Sequence, residues 1–501
     1  MENGEGVKGV FEAQGQLQII FGTGIVNKVF DAFVKEGGIT AGSKEDVKAA
    51  AAQKGNWFQR FIKTLGDIFV PIIPAIVASG FLMGIMDALN FMNHNGFAHI
   101  DTGSSIYLFA TLFANTAYTF LPILLCPDQP YDIPGVSSGS AYIEDGMMYL
   151  YYTGNVKHEG DHDYIRTGRG HNTCLAISEN GETMASKQCL MENKDYPAGL
   201  TCHVRDPKVW KMDGKYYMVQ GARTLEDRGE VLIFQSEDKI HWTHCNTITT
   251  PEIFGYMWEC PDLFEVDGQW FLCVSPQGVA QTDNRFQNVY ACGYFPPYGD
   301  FRGDCTLGEF QTLDKGFDFY APQSFLDGTR RIQFGWMGMP NAEYTNPTTA
   351  YGWQHCMTVP CVLTAKDGKI LRNPVSELNA LHGTLRQLSV TPGVSESVKT
   401  FDLHYQTAGQ PFDLTIHDSV RLNWQDGVLT LPVPQGGAGR TTRVAHCAAP
   451  MSLRILADTS SVEVFGDGGA TCMSTRCYPT SWGVRWTSGT GDAQLWDMKQ
   501  S

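Results

Sequence analysis

The sequence predicts a mainly β protein preceded by an α-helical membrane fragment. Its 501 residues include 53 glycines and 12% aromatic residues, a composition typical of turn-rich β structure. Asp-Gly pairs recur between alternating apolar runs, which is a strong signal for β-hairpins. Two uncharged apolar runs near the N-terminus are each long enough to cross a membrane as a helix. A chain of this length is expected to form two or more domains.

Residues 1–53 form the first predicted region. Gln16 to Thr23 predicts a strand with a glycine turn, and Ile25 to Val34 has helical spacing. The stretch from Ala41 to Gln53 is rich in Ala, Lys and Asp and predicts a linker. The polar, glycine-rich start of the chain predicts no secretory signal before residue 15.

Residues 54–125 predict two transmembrane helices. The apolar runs, Ile68 to Met86 and Ile106 to Leu125, are each near the roughly 20 residues that a membrane-spanning helix needs. Asn90 to Ser105, between the runs, has no Lys or Arg, whereas three basic residues precede the first run: Lys54, Arg60 and Lys63. The positive-inside rule therefore places the N-terminus, and all residues after 126, in the cytoplasm. The alternative is a pair of buried helices in a soluble core.

Residues 126–375 predict a β-propeller. Hairpins recur with a period of about 50–70 residues, as propeller blades do, and their turns lie at Asp145-Gly146, Asp213-Gly214, Asp267-Gly268 and Asp327-Gly328. Four blades are counted in this way. Unrelated hairpins in a sandwich are the alternative. Asp206 and Glu259 each precede the hairpin of their own unit, which favours blades around a common axis.

Residues 376–501 predict a C-terminal β-sandwich. Further turns lie at Asp426-Gly427 and Asp467-Gly468, so the β pattern continues to the end of the chain. Few clusters of acidic and aromatic residues occur here. The simplest interpretation is therefore a β-sandwich domain that contributes no catalytic residues.

The net charge and the spacing of the cysteines limit which nucleic acids, metals or cofactors the chain is expected to bind. The formal net charge is −16, and nucleic acid is excluded as a partner because phosphate binding needs a basic face. The 14 cysteines are irregularly spaced, and neither Cys356 with Cys361 nor Cys472 with Cys477 has a His at ligand spacing. We expect reduced buried thiols, and neither a metal nor a cofactor.

Two short sequence motifs contain the candidate catalytic residues: Arg205-Asp206-Pro207 and Glu259-Cys260-Pro261. Paired carboxylates on separate strands can lie on either side of a glycosidic bond. One carboxyl then protonates the leaving oxygen while the other stabilises the developing oxocarbenium charge. The pair indicates an enzyme that cleaves sugars.

These motifs belong to a larger set of sequence motifs that resembles glycoside hydrolase family 32. The set covers roughly three quarters of the chain and includes Ser138-Gly139-Ser140-Ala141, Tyr152-Thr153-Gly154-Asn155, Ser236-Glu237-Asp238, Trp258-Glu259-Cys260-Pro261-Asp262, Ser275-Pro276-Gln277-Gly278, Phe319-Tyr320-Ala321-Pro322-Gln323, Tyr351-Gly352-Trp353-Gln354-His355 and Asp458-Thr459-Ser460-Ser461-Val462-Glu463-Val464-Phe465. The resemblance implies a five-bladed propeller followed by a β-sandwich. It also implies a retaining β-fructofuranosidase that acts on sucrose or sucrose 6-phosphate.

The resemblance assigns roles to individual residues. Glu259 is expected to be the general acid/base, and Asp206 is expected to stabilise the transition state through sugar hydroxyls. The adjacent Arg205 is expected to hold Asp206 ionised and to contact substrate, as are Ser137 and Ser138. The family usually has Phe where this chain has Ser137, so an apolar contact is lost.

Four aromatic or imidazole side chains have open roles. Tyr320 is expected to hydrogen-bond near the site, with a propeller-core tyrosine as the alternative. Trp353 and Trp258 suit stacking on a sugar face, and packing in a core suits them equally. His203 fits a structural histidine better than a proton shuttle.

The chain departs from the family at its first blade. The family nucleophile is an Asp in a Trp-Met-Asn-Asp-Pro-Asn-Gly block, and this chain has no such block. Asp128 and Asp132 are the nearest acids, and Asp132 fits a structural turn residue. We therefore expect the first blade to be missing and activity to be low or absent.

The segment from about 14 to 125 resembles the membrane component of the sucrose phosphotransferase system. The words are Gly15-Gln16-Leu17-Gln18-Ile19-Ile20-Phe21-Gly22-Thr23-Gly24 for the end of its IIB domain, and Pro71-Ile72-Ile73-Pro74-Ala75 and Leu108-Phe109-Ala110-Thr111 for the start of its IIC domain. That family passes phosphate through a Cys upstream of the match, and the first Cys here is Cys126. The resemblance implies a join near residue 126, with lipid contact through residues 64–125.

Three functions follow as hypotheses. The first is a membrane-tethered β-fructofuranosidase whose hydrolase domain faces the cytoplasm. The second is a non-catalytic product, such as a fructoside-binding protein or a fusion remnant. The third is a sugar-transport component, which the absent phosphate acceptor disfavours. The sequence leaves open whether the sugar is phosphorylated.

Overall fold

The computed structural model describes residues 7–13, 16–21 and 124–499. The chain divides into two compact units, Met1–Pro122 and Ile123–Ser501. In the first unit, β1 (Val7–Ala13) pairs antiparallel with β2 (Gln16–Phe21). The second of these strands lies in the segment where the sequence predicted a strand.

The predicted membrane fragment lies almost wholly outside the described residues. The helix at Ile25 to Val34, the linker and the first apolar run fall outside them, as does the second run up to residue 123. Among the residues that the structure describes, no helix is long and apolar enough to cross a membrane. The two spans therefore stay a prediction.

Four antiparallel sheets follow one another between residues 135 and 374. The first two sheets contain β3 (Gly135–Glu144), β4 (Met147–Lys157), β5 (Arg169–Ser178) and β6 (Ser186–Met191), then β7 (Leu200–Met212), β8 (Lys215–Thr224), β9 (Gly229–Ser236) and β10 (Thr243–Ile248). The third sheet and its side hairpin contain β11 (Met257–Val266), β12 (Gln269–Gln277), β13 (Gly293–Phe295), β14 (Pro297–Gly299), β15 (Cys305–Leu307) and β16 (Gln311–Thr312). The fourth contains β17 (Tyr320–Asp327), β18 (Arg330–Met337), β19 (Cys356–Met357), β20 (Cys361–Lys366) and β21 (Lys369–Pro374).

Asp-Gly turns open each of these sheets, as predicted. Asp145 and Gly146 both have positive φ, 51° and 77°, which is the backbone of a type I′ turn and favours glycine at the second position. The fourth turn differs, because β17 continues through Asp327 and the turn falls on Gly328, with φ of 60°. The hairpin forms there one residue later than predicted.

The four sheets pack side by side as blades do. The first strands β3, β7, β11 and β17 are neighbours in that order. Apolar clusters fill the space between successive sheets; examples are Leu175 with Met218, Ile233 with Leu272, and Phe271 with Ile370. Shared cores between consecutive sheets are what blades around an axis require. A fifth blade remains an implication of the resemblance.

Two six-stranded sheets form the C-terminal part. Their strands are β22 (His382–Val390), β23 (Ser395–Glu396), β24 (Phe401–Gln406), β25 (Phe412–Ile416), β26 (Val420–Gln425), β27 (Val428–Pro432), β28 (Thr442–His446), β29 (Ser452–Ala457), β30 (Ser461–Gly466), β31 (Thr471–Arg476), β32 (Val484–Ser488) and β33 (Gly491–Met498). The sheet orders are β22-β33-β24-β29-β30-β31 and β23-β32-β25-β26-β27-β28. One core, with Leu403 and Ile455 from the first sheet and Leu414 and Trp486 from the second, joins them as a sandwich.

Helical structure is minor in the described part of the chain. Three short 3₁₀ helices occur at Asn193–Asp195, Pro347–Tyr351 and Ser376–Leu381. The last of them connects the fourth blade to the sandwich. The mainly β fold predicted from the sequence is confirmed for the described residues.

Candidate active site

The first strand of every described blade has a bulge at the same place. The pairing register shifts between Ser137 and Gly139, Arg205 and Lys208, Glu259 and Asp262, and Tyr320 and Gln323. In three blades, the residue inside the bulge has positive φ and precedes a proline; these residues are Asp206 (62°), Cys260 (48°) and Ala321 (48°). A bulge re-aims side chains and ends regular pairing. The repeat brings equivalent positions of neighbouring blades together.

Asp206 is held by hydrogen bonds to residues of two other blades. Its own N–H donates to Thr153 Oγ1 at 2.9 Å, and its Oδ2 accepts the N–H of Cys260 at 2.9 Å. The residue is 6% exposed. Burial raises the pKa of Asp206 to about 6, although Arg205 lowers it. Desolvation therefore outweighs the neighbouring cation in setting this pKa, and the expectation that Arg205 holds Asp206 ionised stays a prediction.

Glu259 accepts hydrogen bonds from three side chains. Tyr320 donates its hydroxyl to Oε2 at 2.6 Å, and Gln277 donates to the same oxygen at 2.8 Å. Arg205 donates to Oε1. The Glu259 side chain keeps 17% exposure, so it is held in one orientation and remains accessible.

Arg205 bridges the two carboxylates. Its Nε lies 3.7 Å from Asp206 Oδ2, while Nη2 contacts Glu259. On its other side, Nη1 contacts Nδ1 of His203. Burial, and then the charge of Arg205, lower the pKa of His203 to about 3, so this imidazole is neutral and accepts from the guanidinium. His203 thus positions Arg205, in line with a structural role.

The sequence comparisons identify the family. The profile for the glycosyl hydrolases family 32 N-terminal domain matches residues 114–374, and the one for the C-terminal domain matches residues 390–500. This chain belongs to glycosyl hydrolase family 32. It is a glycosidase by class. It is 36% identical to a sucrose-6-phosphate hydrolase of Bacillus subtilis over 71% of this chain and 77% of that protein. It is also 38% identical to one of Salmonella typhimurium over 74% and 79%.

Solved structures of family 32 members share the fold. A sucrose-6-phosphate hydrolase from Lactobacillus gasseri superposes with a TM-score of 0.67 at 27% identity, over 74% of this chain and 80% of that chain. The β-fructofuranosidase BmSUC1 of Bombyx mori gives 0.67 at 25% identity, over 76% and 82%. The family match at residue 114 begins within the segment predicted as the second membrane span.

The described structure brings together most of the predicted site residues. Ser137 and Ser138 lie in the bulge of β3, and the backbone oxygen of Ser138 accepts from Thr153 Oγ1 at 3.1 Å. Tyr320 is buried and reaches Glu259, so its hydrogen-bonding role and its core position are both observed. Asp132 is fully buried and accepts from the N–H of Gln129, as a structural turn residue does.

The two tryptophans have different surroundings. Trp258 is fully buried, and its Nε1 donates to the oxygen of Phe254 at 2.7 Å, so it belongs to the core between blades. Trp353 is 43% exposed, and its ring lies 5.0 Å from the guanidinium of Arg476 in the sandwich. Among the described contacts, none joins Trp353 to Glu259 or Asp206.

Thr153 and Gln277 are parts of the site whose roles the sequence did not reveal. Each lies in one of the motifs quoted above, and their partners are 53 and 18 positions away along the chain. Within residues 124–499, no three His, Cys, Asp or Glu side chains converge as a metal ion needs. All 14 cysteines are free thiols.

Proposed function

We propose that the family 32 region of this chain hydrolyses the fructosyl bond of sucrose or sucrose 6-phosphate. One observation carries the proposal: the bulges of β7 and β11 hold Asp206 and Glu259 on either side of Arg205. The relatives named above as sucrose-6-phosphate hydrolases support the substrate class.

In the proposed reaction, Glu259 protonates the oxygen that leaves with the glucosyl unit, and a water molecule then adds to the anomeric carbon of the fructosyl unit and returns its proton to Glu259. Asp206, kept ionised above pH about 6, accepts hydrogen bonds from fructosyl hydroxyls as positive charge develops at the anomeric carbon. Ser137, Ser138 and Arg205 contact the sugar. Tyr320 and Gln277 keep the Glu259 carboxyl pointed at the bond.

Trp353 is assigned to the sugar face at the rim of the site. Its 43% exposure leaves an aromatic surface on which a sugar ring can stack. The assignment requires the substrate to reach from Glu259 towards the edge of the sandwich, where Trp353 lies against Arg476.

Retention of configuration needs a nucleophilic carboxylate about 5–5.5 Å from the acid/base. This chain has no Trp-Met-Asn-Asp-Pro-Asn-Gly block. We therefore expect a rate several orders of magnitude below that of a complete family member, as losses of catalytic groups commonly cause.

Hydrolysis by the full chain, purified in a mild detergent, tests the proposal. Release of fructose from sucrose and from sucrose 6-phosphate is measured for the wild type, Glu259→Gln and Glu265→Gln. Glu265 lies on the same strand and is exposed, so it is the matched control. Activity that disappears only in Glu259→Gln supports the assignment. Equal activity in all three chains contradicts it.

A second candidate is a fructoside-binding protein without turnover. The absent nucleophile block favours it, because the remaining site residues can bind a sugar without cleaving it. Calorimetric titration with sucrose separates the two functions. Binding in the absence of any fructose release supports the binding protein, whereas release that depends on Glu259 supports the hydrolase.

We also propose that residues 64–125 tether the hydrolase region to the cytoplasmic face of a membrane. The apolar runs and the basic residues before the first of them support this. The proposal predicts that the full chain stays in the membrane pellet after alkaline carbonate extraction. Release into the supernatant would contradict it.

A further inference from the structure

Two cysteines lie directly opposite each other in the first described blade. Cys174 on β5 and Cys189 on β6 are partners across an antiparallel ladder. Partners of this kind have Cα atoms about 4.5–5.5 Å apart and side chains on the same face of the sheet. A disulfide needs a Cα separation of about 4.4–6.8 Å. The backbone therefore already meets the main geometric requirement of a disulfide.

Both thiols lie in one small apolar cluster and make only weak polar contacts. The thiol of Cys174 donates to the backbone oxygen of Asn172 at 3.7 Å, and the thiol of Cys189 donates to that of Met191 at 3.6 Å. A thiol is a weak hydrogen-bond donor, so these contacts oppose a rotamer change only slightly. Rotation about the two Cα–Cβ bonds can turn the sulfurs towards each other.

The two thiols differ in their access to solvent. Cys174 is fully buried, whereas Cys189 is half-buried at the edge of the sheet. The neighbouring Cys174 thiol lowers the pKa of Cys189, while the Cys189 thiol and burial raise the pKa of Cys174. An accessible thiol of lowered pKa beside a second thiol is typical of a redox-sensing pair. Only Cys189 has to meet an oxidant, because Cys174 reacts with Cys189 alone.

We propose that Cys174 and Cys189 form a reversible disulfide on reaction with a low-molecular-weight disulfide such as glutathione disulfide, and that this bond locks β6 onto its blade. Cys189, as its thiolate, attacks one sulfur of glutathione disulfide and forms a mixed disulfide. The displaced glutathione thiolate takes up the proton that Cys189 released. The inference is independent of the proposed hydrolysis.

The second step closes the bond within the protein. The sulfur of Cys174 attacks the sulfur of Cys189, and the second glutathione leaves with the proton of Cys174. Two protein thiols are thereby oxidised to one disulfide, and one glutathione disulfide is reduced to two glutathiones.

The edge position of β6 gives this bond an effect on the fold. The described sheet has the order β3-β4-β5-β6, so β6 pairs with β5 on one side and ends the sheet on the other. Cys174 and Cys189 are 15 positions apart in the sequence, and a bond between them closes the loop that joins the two strands. Closing such a loop restricts the open state of the strand pair. Oxidation should therefore reduce the opening of β6.

Peptide mapping of the folded full chain tests whether the bond forms. The chain is incubated with glutathione disulfide, its remaining thiols are blocked, and unreduced digests are analysed by mass spectrometry. Peptides linked through Cys174 and Cys189 are expected in the wild type, and the link should disappear on reduction with dithiothreitol. Cys245→Ser is the control and should keep the link. Cys245 is also half-buried on an edge strand, β10, but its partner strand β9 contains no cysteine.

Hydrogen exchange tests whether the bond locks the strand. The amides of β6 are expected to exchange at least about tenfold more slowly in the oxidised wild type than in the reduced wild type. Cys189→Ser, treated in the same way, should show no such slowing. Recovery of both wild-type thiols unmodified, or a stable glutathione adduct on Cys189 without the link, overturns the inference. A link that leaves exchange in β6 unchanged overturns it as well.

Discussion

Cys260 donates its backbone N–H to Oδ2 of Asp206, 2.9 Å away on the neighbouring blade. The strand that carries Glu259 therefore also positions the second carboxylate of the site. A similar contact joins the next two blades, where the N–H and the hydroxyl of Ser324 both donate to Asp262 Oδ2 at 2.7 Å. Propeller packing and site geometry thus depend on the same bulged strands.

Thr153 supports this arrangement from the first described blade. Its hydroxyl accepts from the N–H of Asp206 and donates to the oxygen of Ser138, and the residue is 1% exposed. Thr153→Val keeps the shape and leaves both groups unsatisfied, so the free energy of unfolding should fall by about 2–3 kcal/mol. Urea denaturation measures the loss. The exposed Thr243→Val is the control, and an equal change in both variants would contradict the role of Thr153.

Trp258 and Trp353 should respond in opposite ways to replacement. Trp258→Phe loses core volume and the hydrogen bond to Phe254, and should cost about 1–3 kcal/mol of stability with unchanged affinity for sucrose. Trp353→Phe should leave stability within about 0.5 kcal/mol. Trp353→Ala should weaken sucrose binding several-fold. Urea denaturation and calorimetric titration of the three variants check this, and weaker binding in Trp258→Phe would argue against a core role.

The sequence predicted the elements that depend on local signals. Asp-Gly pairs located the hairpins because a type I′ turn needs positive φ at two adjacent residues, as at Asp145 and Gly146. The paired carboxylates were found because each lies in a recognisable word. The shift of the fourth turn to Gly328 was missed, since an Asp-Gly pair does not reveal where the ladder ends.

The local sequence pattern did not predict which residues are buried or which residues far apart in the sequence are in contact. The Arg205-Asp206 motif suggested a carboxylate that its neighbour holds ionised, but it did not predict that burial between blades raises the pKa of Asp206 to about 6. The partner of Asp206 in β4, Thr153, is 53 positions away. Nothing in the local sequence separated the buried Trp258 from the half-exposed Trp353, because sugar stacking and core packing suit an indole ring equally.

Arg440 joins the propeller to the sandwich through Asp318. Its Nε and Nη2 donate to the two carboxylate oxygens at 2.7 and 2.8 Å, and both side chains are buried. Arg440→Met leaves Asp318 as an unpaired buried charge and should cost about 3–5 kcal/mol. Arg302→Met, which breaks an exposed pair with Asp300, should cost less than about 1 kcal/mol. Similar losses in the two variants, measured by urea denaturation, would refute the importance of burial.

Asp206 should make the stability of the chain fall as pH rises. Its pKa is about 6 in the folded protein and 3.8 in its ordinary state, so the folded protein holds a proton that the unfolded chain releases. Asp206→Asn removes this penalty. Its gain in stability over the wild type should therefore grow by up to about 3 kcal/mol between pH about 4 and about 7, while hydrolysis is lost. Urea denaturation across pH checks this, with the exposed Asp213→Asn measured alongside as the control substitution. A difference between Asp206→Asn and the wild type that does not change with pH would mean that burial does not control the pKa of this carboxyl.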